Sequence, residues 1–437
     1  MRIFIDCTHT AKHTYKNTGI HRVVRELTSE LLEISSNRTD IEIVAVMFDG
    51  SSIRRVTNLN QQQDDHFIKV NKYLELTKIN IKVQALIFKL RNKFINLLYL
   101  SNFIYWFNLN SESKRNVPLE FEGSIVQPED IYVIADANWD LPKTYYRFLE
   151  VLKRHKVTIV VICYDLIPIK FPQFSSKRFT KAFTKFYSDY STLFDKVLCI
   201  SNKSAEDYNN AKYQGILASN NSQIVQSFRL GCNYSKNDFV VSEKNNKFAL
   251  DLQELVNKKY ILVVGSLVPH KNIKTIIAAF DLLINSSYDN VFLIFAGNKG
   301  WHSETDSLIE SNKMYGKLIQ ILGSVTDAQL DFLYQNCYCL VQASFYEGFG
   351  LPVVEALQHC KPVIASNGGS LPEVGGDFCR YFSPTQPIEL YEALKELLDS
   401  EIYYNNLVDR IRNEYTPFSW RESAEDFLSC LYSYNEV

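Results

Sequence analysis

Short apolar runs alternate with helix-periodic stretches along this chain, and they do so in two successive series. The first opens with IFID at 3–6, crosses the polar loop CTHTAKHTYKNTG and the helical pattern IHRVVRELTSELLE, and returns as IEIVAVMF at 41–48. Parallel strands need a crossover of a dozen or more residues, and a helix supplies it, so this is the start of a parallel, doubly wound sheet. Further buried runs follow at DIYVIAD (130–136), VTIVVICYD (157–165) and KVLCIS (196–201), with a helical pattern between the last two. The second series begins with YILVVGS at 260–266 and the helix NIKTIIAAFDLLIN. It continues through VFLIFAG, a helix over SLIESNKMYG, IQILGSV, the helix DAQLDFLYQN, the strands CYCLVQAS and PVIASN, and the helix ELYEALKELLD.

The expected fold class is therefore α/β: two Rossmann-like, doubly wound parallel-sheet domains facing a cleft. A length of 437 residues exceeds one ordinary core, and an apolar content of 46% suits packed domains. The boundaries expected are an N-terminal domain at 1–240, a second domain at 241–415 and a final helix at 416–437, FSWRESAEDFLSCLYSY, packing back on the first domain. The mixed polar stretch FVVSEKNNKFALDLQ marks the linker, and hinges are expected near 235–255 and 415. An interruption at about 60–124 carries Lys72, Lys78, Lys82, Lys89, Arg91 and Lys93 against the single acid Glu75 within 72–107. Its apolar residues recur at helical spacing. Two readings stand: a basic amphipathic helix on an anionic membrane surface, or an inserted helical pair packed on its own domain.

A formal charge of −2 gives no global reason to expect a nucleic-acid partner. Nine cysteines without a CxxC pair read as reduced thiols. With no apolar leader at the start and no run of 18 apolar residues, the expected location is cytoplasmic, at most peripheral on the inner membrane face. His9, His13 and His21 cluster in sequence, but their spacing across a polar loop favours solvent or acceptor contact over metal, and no metal or cofactor is expected. Trp139 is the tryptophan best placed for a sugar platform.

The stretch most concerned with chemistry is SFYEGFGLPVVEALQHCKPVIASNGGSLPEVGGD at 344–377. Ser344 ends an apolar strand, Gly348 and Gly350 permit a tight turn and close backbone approach to a ligand, and Pro352 opens a helix. Phe349, Gly350 and Leu351 then present N–H groups at a helix start, an anion site suited to phosphate. Glu347 precedes it and Glu355 lies one turn in. A nucleotide sugar spans sugar, diphosphate and ribose, which matches that order. Glu373 reads as a donor contact or as the cap of the helix that begins beside it.

EGFGLPVVEAL, followed by KPVIAS and GGSLPEV, resembles the E-x7-E signature of retaining glycosyltransferases of family 4, which have the two-domain GT-B fold. VVGSLVPHKN resembles that family's phosphate-binding segment, and LGCN (230–233) the end of its interdomain connection. TGIHRVVREL, ADANWD and YDLIPIKFP resemble a bacterial subgroup rich in O-antigen and exopolysaccharide mannosyltransferases. The resemblance covers nearly the whole chain outside 60–124. It implies that Glu347 binds donor-sugar hydroxyls, Glu355 the ribose, and the N–H groups of Phe349, Gly350 and Leu351 the diphosphate, with Gly348 also lining the donor site. It implies further that Lys271, with Ser266 and His270 beside it, neutralises the leaving group. Gly19 would approach phosphates or acceptor, and Asp165 the acceptor side. Departures are His270, where the subgroup often has arginine, and Tyr164, where it often has histidine. Arg229 is a candidate substitute base for the phosphate; His270 serves if protonated, with a neutral histidine at a helix start as the equal alternative.

The implied reaction is retaining transfer of a hexose, GDP-mannose being the first donor choice, to a hydroxyl of a glycan or lipid-linked glycan. Rhamnosyl or UDP-hexose transfer, a nucleotide-sugar epimerase and a non-catalytic glycan-binding protein are the alternatives.

Overall fold

The computed structural model describes residues 1–14, 18–59, 120–218, 222–232, 254–256, 258–300 and 303–433. The expected basic helix at 72–107 and the linker around 240 lie outside them. By contacts the chain divides into two compact units. One is Met1–Ile162 with Asp189–Lys196 and Ser219–Gln223; the other is Cys163–Ser188, Val197–Ala218 and Ile224–Val437.

The first sheet takes in β1 (Arg2–Asp6), β2 (Glu42–Phe48), β3 (Ile53–Arg55), β6 (Ile131–Ile134), β7 (Thr158–Cys163), β8 (Lys196–Cys199) and β9 (Ile224–Ser227), in the order β3-β2-β1-β6-β7-β8-β9. Between β3 and β6 a separate antiparallel pair, β4 (Glu120–Phe121) and β5 (Ser124–Ile125), turns through Glu122 and Gly123 at φ 50° and 77°. β1 pairs in parallel with β2 and β6, and β6 with β7, whereas β3 returns antiparallel to β2 as a short edge hairpin. The expected polar loop after β1 contains a helical turn, Thr8–Lys12. Its start is set by Asp6, whose Oδ1 accepts the Thr8 N–H at 3.0 Å and the Thr8 hydroxyl. Asp6 Oδ2 takes Tyr132 Oη at 2.7 Å, Tyr145 Oη at 2.5 Å and Asn138 Nδ2 at 2.8 Å. Burial raises the Asp6 carboxyl, and these donors offset part of that cost. Asp6 therefore ties β1 to four further elements of the first unit, those that carry Thr8, Tyr132, Asn138 and Tyr145.

In the second unit, β10 (Lys259–Val264), β11 (Val291–Ala296), β12 (Ile319–Gly323), β13 (Cys339–Gln342), β14 (Val363–Ser366) and β15 (Cys379–Phe382) form a sheet in the order β12-β11-β10-β13-β14-β15. Every pairing in it is parallel. Alternate residues explain the continuous apolar runs. Ile261, Val263, Leu293, Phe295 and Val341 join the core beneath the helices Ile273–Asn285 and Pro387–Asp399. Leu262, Val264, Ile294 and Leu340 join the opposite core beneath Asp327–Asn336 and Leu351–Gln358. A sheet covered on both faces has no polar alternation to show. The helix expected over SLIESNKMYG stops at Glu310. Asn312 Oδ1 then accepts the Met314 N–H at 2.9 Å, and Gly316 follows at φ 74°, so the chain turns there.

The final helix, Trp420–Tyr432, opens with a reciprocal capping box between Ser419 and Glu422. It packs on residues 226–232. Ser423 Oγ donates to the Arg229 carbonyl at 2.7 Å, Asp426 accepts the Arg229 N–H at 2.9 Å, and Phe427 meets Phe228 edge-on at 5.3 Å. A Cβ at Gly231 would sit 2.4 Å from the Trp420 nitrogen, so only glycine lets the LGCN segment meet this helix.

Candidate active site

Strand order in the second sheet reverses at β10, whose neighbours are β11 on one side and β13 on the other. The carboxyl ends of strands at such a reversal are where open α/β sheets leave a crevice. The segments leaving β10 and β13 carry Lys271 and Glu347. They are joined by Asn272, which turns the chain at φ 56° and donates from Nδ2 to the Ala343 carbonyl at 3.0 Å. The Phe345 N–H adds a bond to the His270 carbonyl at 2.8 Å.

Glu347 is 9% exposed. Its Oε1 accepts Lys271 Nζ at 2.6 Å, Gln342 Nε2 at 2.8 Å and Ser344 Oγ at 2.5 Å. All three donors converge on one oxygen, and Oε2 has no donor among the described residues. Burial pushes the carboxyl up, but the charge of Lys271, the neighbouring His270 and the hydrogen bonds outweigh it and hold it below the ordinary glutamate value. The group is an anion with one lobe committed and one available.

His270 is pushed down to about 4, chiefly by burial and then by Lys271, against the opposing pull of Glu347. Of the two readings of His270, protonated or neutral, this downward shift favours the neutral one at neutral pH. His270→Gln is expected to leave nucleoside-diphosphate affinity at pH 7.5 within about 3-fold of wild type by titration calorimetry, because no charge is removed. The folded value lies below the unfolded one. Stability from neutral His270 is therefore complete above pH 6.5 and lost as pH falls towards 4. Acid unfolding in that window should be gentler for the variant.

Asp165 accepts the Ile167 N–H at 2.9 Å. Its carboxyl is raised to about 6, first by burial, with Glu347 and Asp207 adding to the rise and Lys271 opposing it. The same electrostatic neighbourhood thus holds Asp165, Lys271 and Glu347, all in the second unit. Ser266 is exposed, two residues past β10. Gly265, at φ 121°, leaves room for the Lys271 side chain, whose Cε would stand 3.4 Å from a Cβ there.

The helix Leu351–Gln358 begins after Gly350, at φ 109°. The N–H groups of Phe349, Gly350 and Leu351 find no acceptor among the described residues. Gly348 has a steric reason within the fold itself. Its backbone meets the chain's own Tyr164, and a Cβ would lie 2.2 Å from the Tyr164 carbonyl oxygen. Gly348→Ala should cost at least about 3 kcal/mol of stability in urea unfolding, the upper range of overpacking, because the obstacle is backbone. Gly368 and Gly369 likewise lie on the backbone of Ser344–Glu347.

Glu355 is 2% exposed and takes the Tyr334 hydroxyl on Oε2 at 2.7 Å. Tyr334 in turn stacks on His359, centroids 5.7 Å apart. Glu373 caps a helix, though not its own. Its two oxygens accept the Asn202 and Lys203 N–H groups at 2.8 and 3.0 Å, at the start of Asn202–Tyr213. The Arg229 guanidinium rests over the Phe418 ring, 5.1 Å to the centroid, and takes no part in the Glu347–Lys271 cluster. Gly19 opens the helix Gly19–Ser36 of the first unit, where His9 Nδ1 lies 3.1 Å from His21 Nε2 and the His13 ring 4.7 Å from that of His9. Trp139 sits half-buried in a turn after β6.

Residues 245–414 match the family model of glycosyl transferases group 1. The serotype-specific mannosyltransferase WbdA of Escherichia coli is 25% identical over 439 residues, covering 98% of this chain and 45% of its own length. The O-antigen chain mannosyltransferase B of E. coli is 33% identical over 181 residues, 41% of this chain and 47% of that protein. The chain thus spans less than half the length of these relatives. In three dimensions it resembles sucrose-phosphate synthase from Thermosynechococcus elongatus, with a TM-score of 0.61, 14% identity and coverage of 99% and 98% of the two chains. HepE from Anabaena, in complex with UDP and glucose, gives 0.58 at 13% identity, with 99% of each chain covered. The fold is GT-B. No helix among the described residues is long and apolar enough to cross a membrane.

Proposed function

We propose that this chain is a retaining, metal-independent hexosyltransferase of glycosyltransferase family 4, acting in synthesis of a bacterial surface polysaccharide. The donor is a nucleoside-diphosphate sugar, GDP-mannose first, and the acceptor a hydroxyl of a glycan or lipid-linked glycan. One observation carries the reading: the Lys271–Glu347 pair at 2.6 Å, beside N–H groups at a helix start that have no acceptor among the described residues. That arrangement offers a cation and N–H donors to a diphosphate and a carboxylate lobe to sugar hydroxyls. The mannosyltransferase names of the E. coli relatives favour the sugar.

In this scheme the acceptor oxygen forms a bond to the anomeric carbon on the face from which the phosphate departs. The bond from that carbon to the phosphate oxygen breaks, and the acceptor proton passes to the departing oxygen. Lys271 and the N–H groups of Phe349, Gly350 and Leu351 meet the charge that grows on the diphosphate. Glu347 holds the sugar through Oε2, Glu355 with Tyr334 faces the ribose, and Asp165 the acceptor. A thermal-shift screen against GDP, UDP, dTDP and their sugars tests the reading. Stabilisation by one nucleotide family, growing with concentration as ligand linkage requires, supports it and names the donor. No stabilisation at millimolar concentration counts against it.

A further inference from the structure

The stretch before and after Glu347 is fastened by side chains that the reaction scheme does not use, all within the second unit. Tyr346 Oη donates to Asp207 Oδ2 at 2.5 Å and accepts from Lys170 Nζ at 2.8 Å. Lys170 Nζ also reaches Asp207 Oδ1 at 2.6 Å, closing a three-membered ring, and it lies 4.4 Å from the Tyr346 ring centroid. Asp207 is 7% exposed and Tyr346 8%, whereas the Lys170 side chain is 37% exposed, so two of the three members are buried. On the other side of Glu347, Ser201 Oγ donates to the Gly348 carbonyl at 2.6 Å, and Ser204 Oγ stands 3.2 Å from the same oxygen. Ser201, Ser204 and Asp207 belong to the cap and first two turns of the helix Asn202–Tyr213, the helix that Glu373 caps. A wholly exposed ion pair would add little, but a charge-assisted ring closed on a buried carboxylate and a buried hydroxyl holds its members to one geometry.

We propose that Lys170, Asp207 and Tyr346 are positioning residues that set the direction of the Glu347 carboxylate through its chain neighbour. The inference rests on the glycosyl-transfer reading above. Glu347 Oε1 is fixed by its own three donors, so the free Oε2 can address a sugar hydroxyl only if the backbone at 346–348 stays in place. Two independent fastenings, the Tyr346 ring and the Gly348 carbonyl, bracket that one residue. None of these side chains touches the reacting atoms in the scheme, so the effect of losing them falls on alignment, where a displacement of about 1 Å can cost 10²-fold in rate.

The test uses the full chain and nucleoside-diphosphate release from GDP-mannose, UDP-glucose and dTDP-rhamnose, with a methyl mannoside as acceptor. Tyr346→Phe keeps the aromatic ring and leaves Lys170 and Asp207 paired, so the fold should survive. Its kcat is expected to fall about 10–100-fold, while KM for the donor and the Kd for the nucleoside diphosphate stay within about 3-fold and Tm within a few degrees. Lys170→Met should show the same split, and Lys170→Arg should recover most of the rate. Wild-type kcat in Tyr346→Phe, or a loss that merely follows Tm or nucleotide affinity, overturns the positioning role. An inactive wild type on every donor overturns the functional reading, and this inference with it.

Discussion

On the proposed function, Glu347→Gln should lose sugar transfer by about 10²–10³-fold while the fold and nucleoside-diphosphate binding persist, the size expected when one charged contact of the transition state is removed. Glutamine has the same shape. Its oxygen can still receive Ser344, Gln342 and Lys271, whose bonds all converge on Oε1. What changes is the other lobe, where an acceptor becomes an N–H donor and the negative charge disappears. A sugar hydroxyl then faces a donor, and positive charge developing at the anomeric carbon has no counter-charge. Removing an anion from beside the phosphate site does not weaken the diphosphate, so its Kd by calorimetry should be equal to or tighter than wild type. Weaker diphosphate binding together with retained turnover would reverse the assignment of the two ends of the site.

Lys271→Met has the opposite profile. In the proposed scheme it removes the cation that meets the leaving group, and nucleoside-diphosphate affinity should fall about 10–100-fold along with a 10²–10³-fold loss of turnover. It also strands Glu347. The two side chains are 18% and 11% exposed, so breaking the pair leaves a buried carboxylate and costs about 3–5 kcal/mol of stability. In the wild type the Glu347 carboxyl is held below its ordinary value, so the pair's contribution is complete above about pH 4.5 and lost as pH falls further. In Lys271→Met burial acts unopposed by that charge, the carboxyl rises, and the variant should gain stability on mild acidification. Combining Lys271→Met with Glu347→Gln should recover much of the lost stability and none of the turnover. Additive stability losses in that double-mutant cycle would mean the ion pair is not formed in solution.

Local pattern made much of this architecture legible. β10, β11, β13 and β14 are apolar runs between helical periods, and burial on both faces leaves few other readings. The turn at Gly350 and the helix after it were equally visible, because a left-handed residue followed by Pro352 marks a helix start. What did not show was anything that depends on partners far apart in sequence. Lys170, Asp207 and Tyr346 lie in three separate segments, and no periodicity links them. Glu373 stands at the start of a helix of its own in sequence but caps the helix beginning at Asn202. Gly348 read as room for a ligand, and its close approach to the Tyr164 backbone was not visible in the sequence. His270 could be recognised beside Lys271, but its charge state follows from burial, which a sequence does not print. Asp6 is a strand-end acid like many others until Tyr132, Tyr145 and Asn138 are seen to converge on it.

The most direct measurement is a crystal structure of the full chain with GDP, or with whichever nucleoside diphosphate stabilises it most. The account predicts phosphate oxygens within hydrogen-bond distance of the Phe349, Gly350 and Leu351 N–H groups and of Lys271 Nζ, with the ribose towards Glu355. A nucleotide bound elsewhere, with Lys271 still closed on Glu347 and those N–H groups turned away from it, would contradict it.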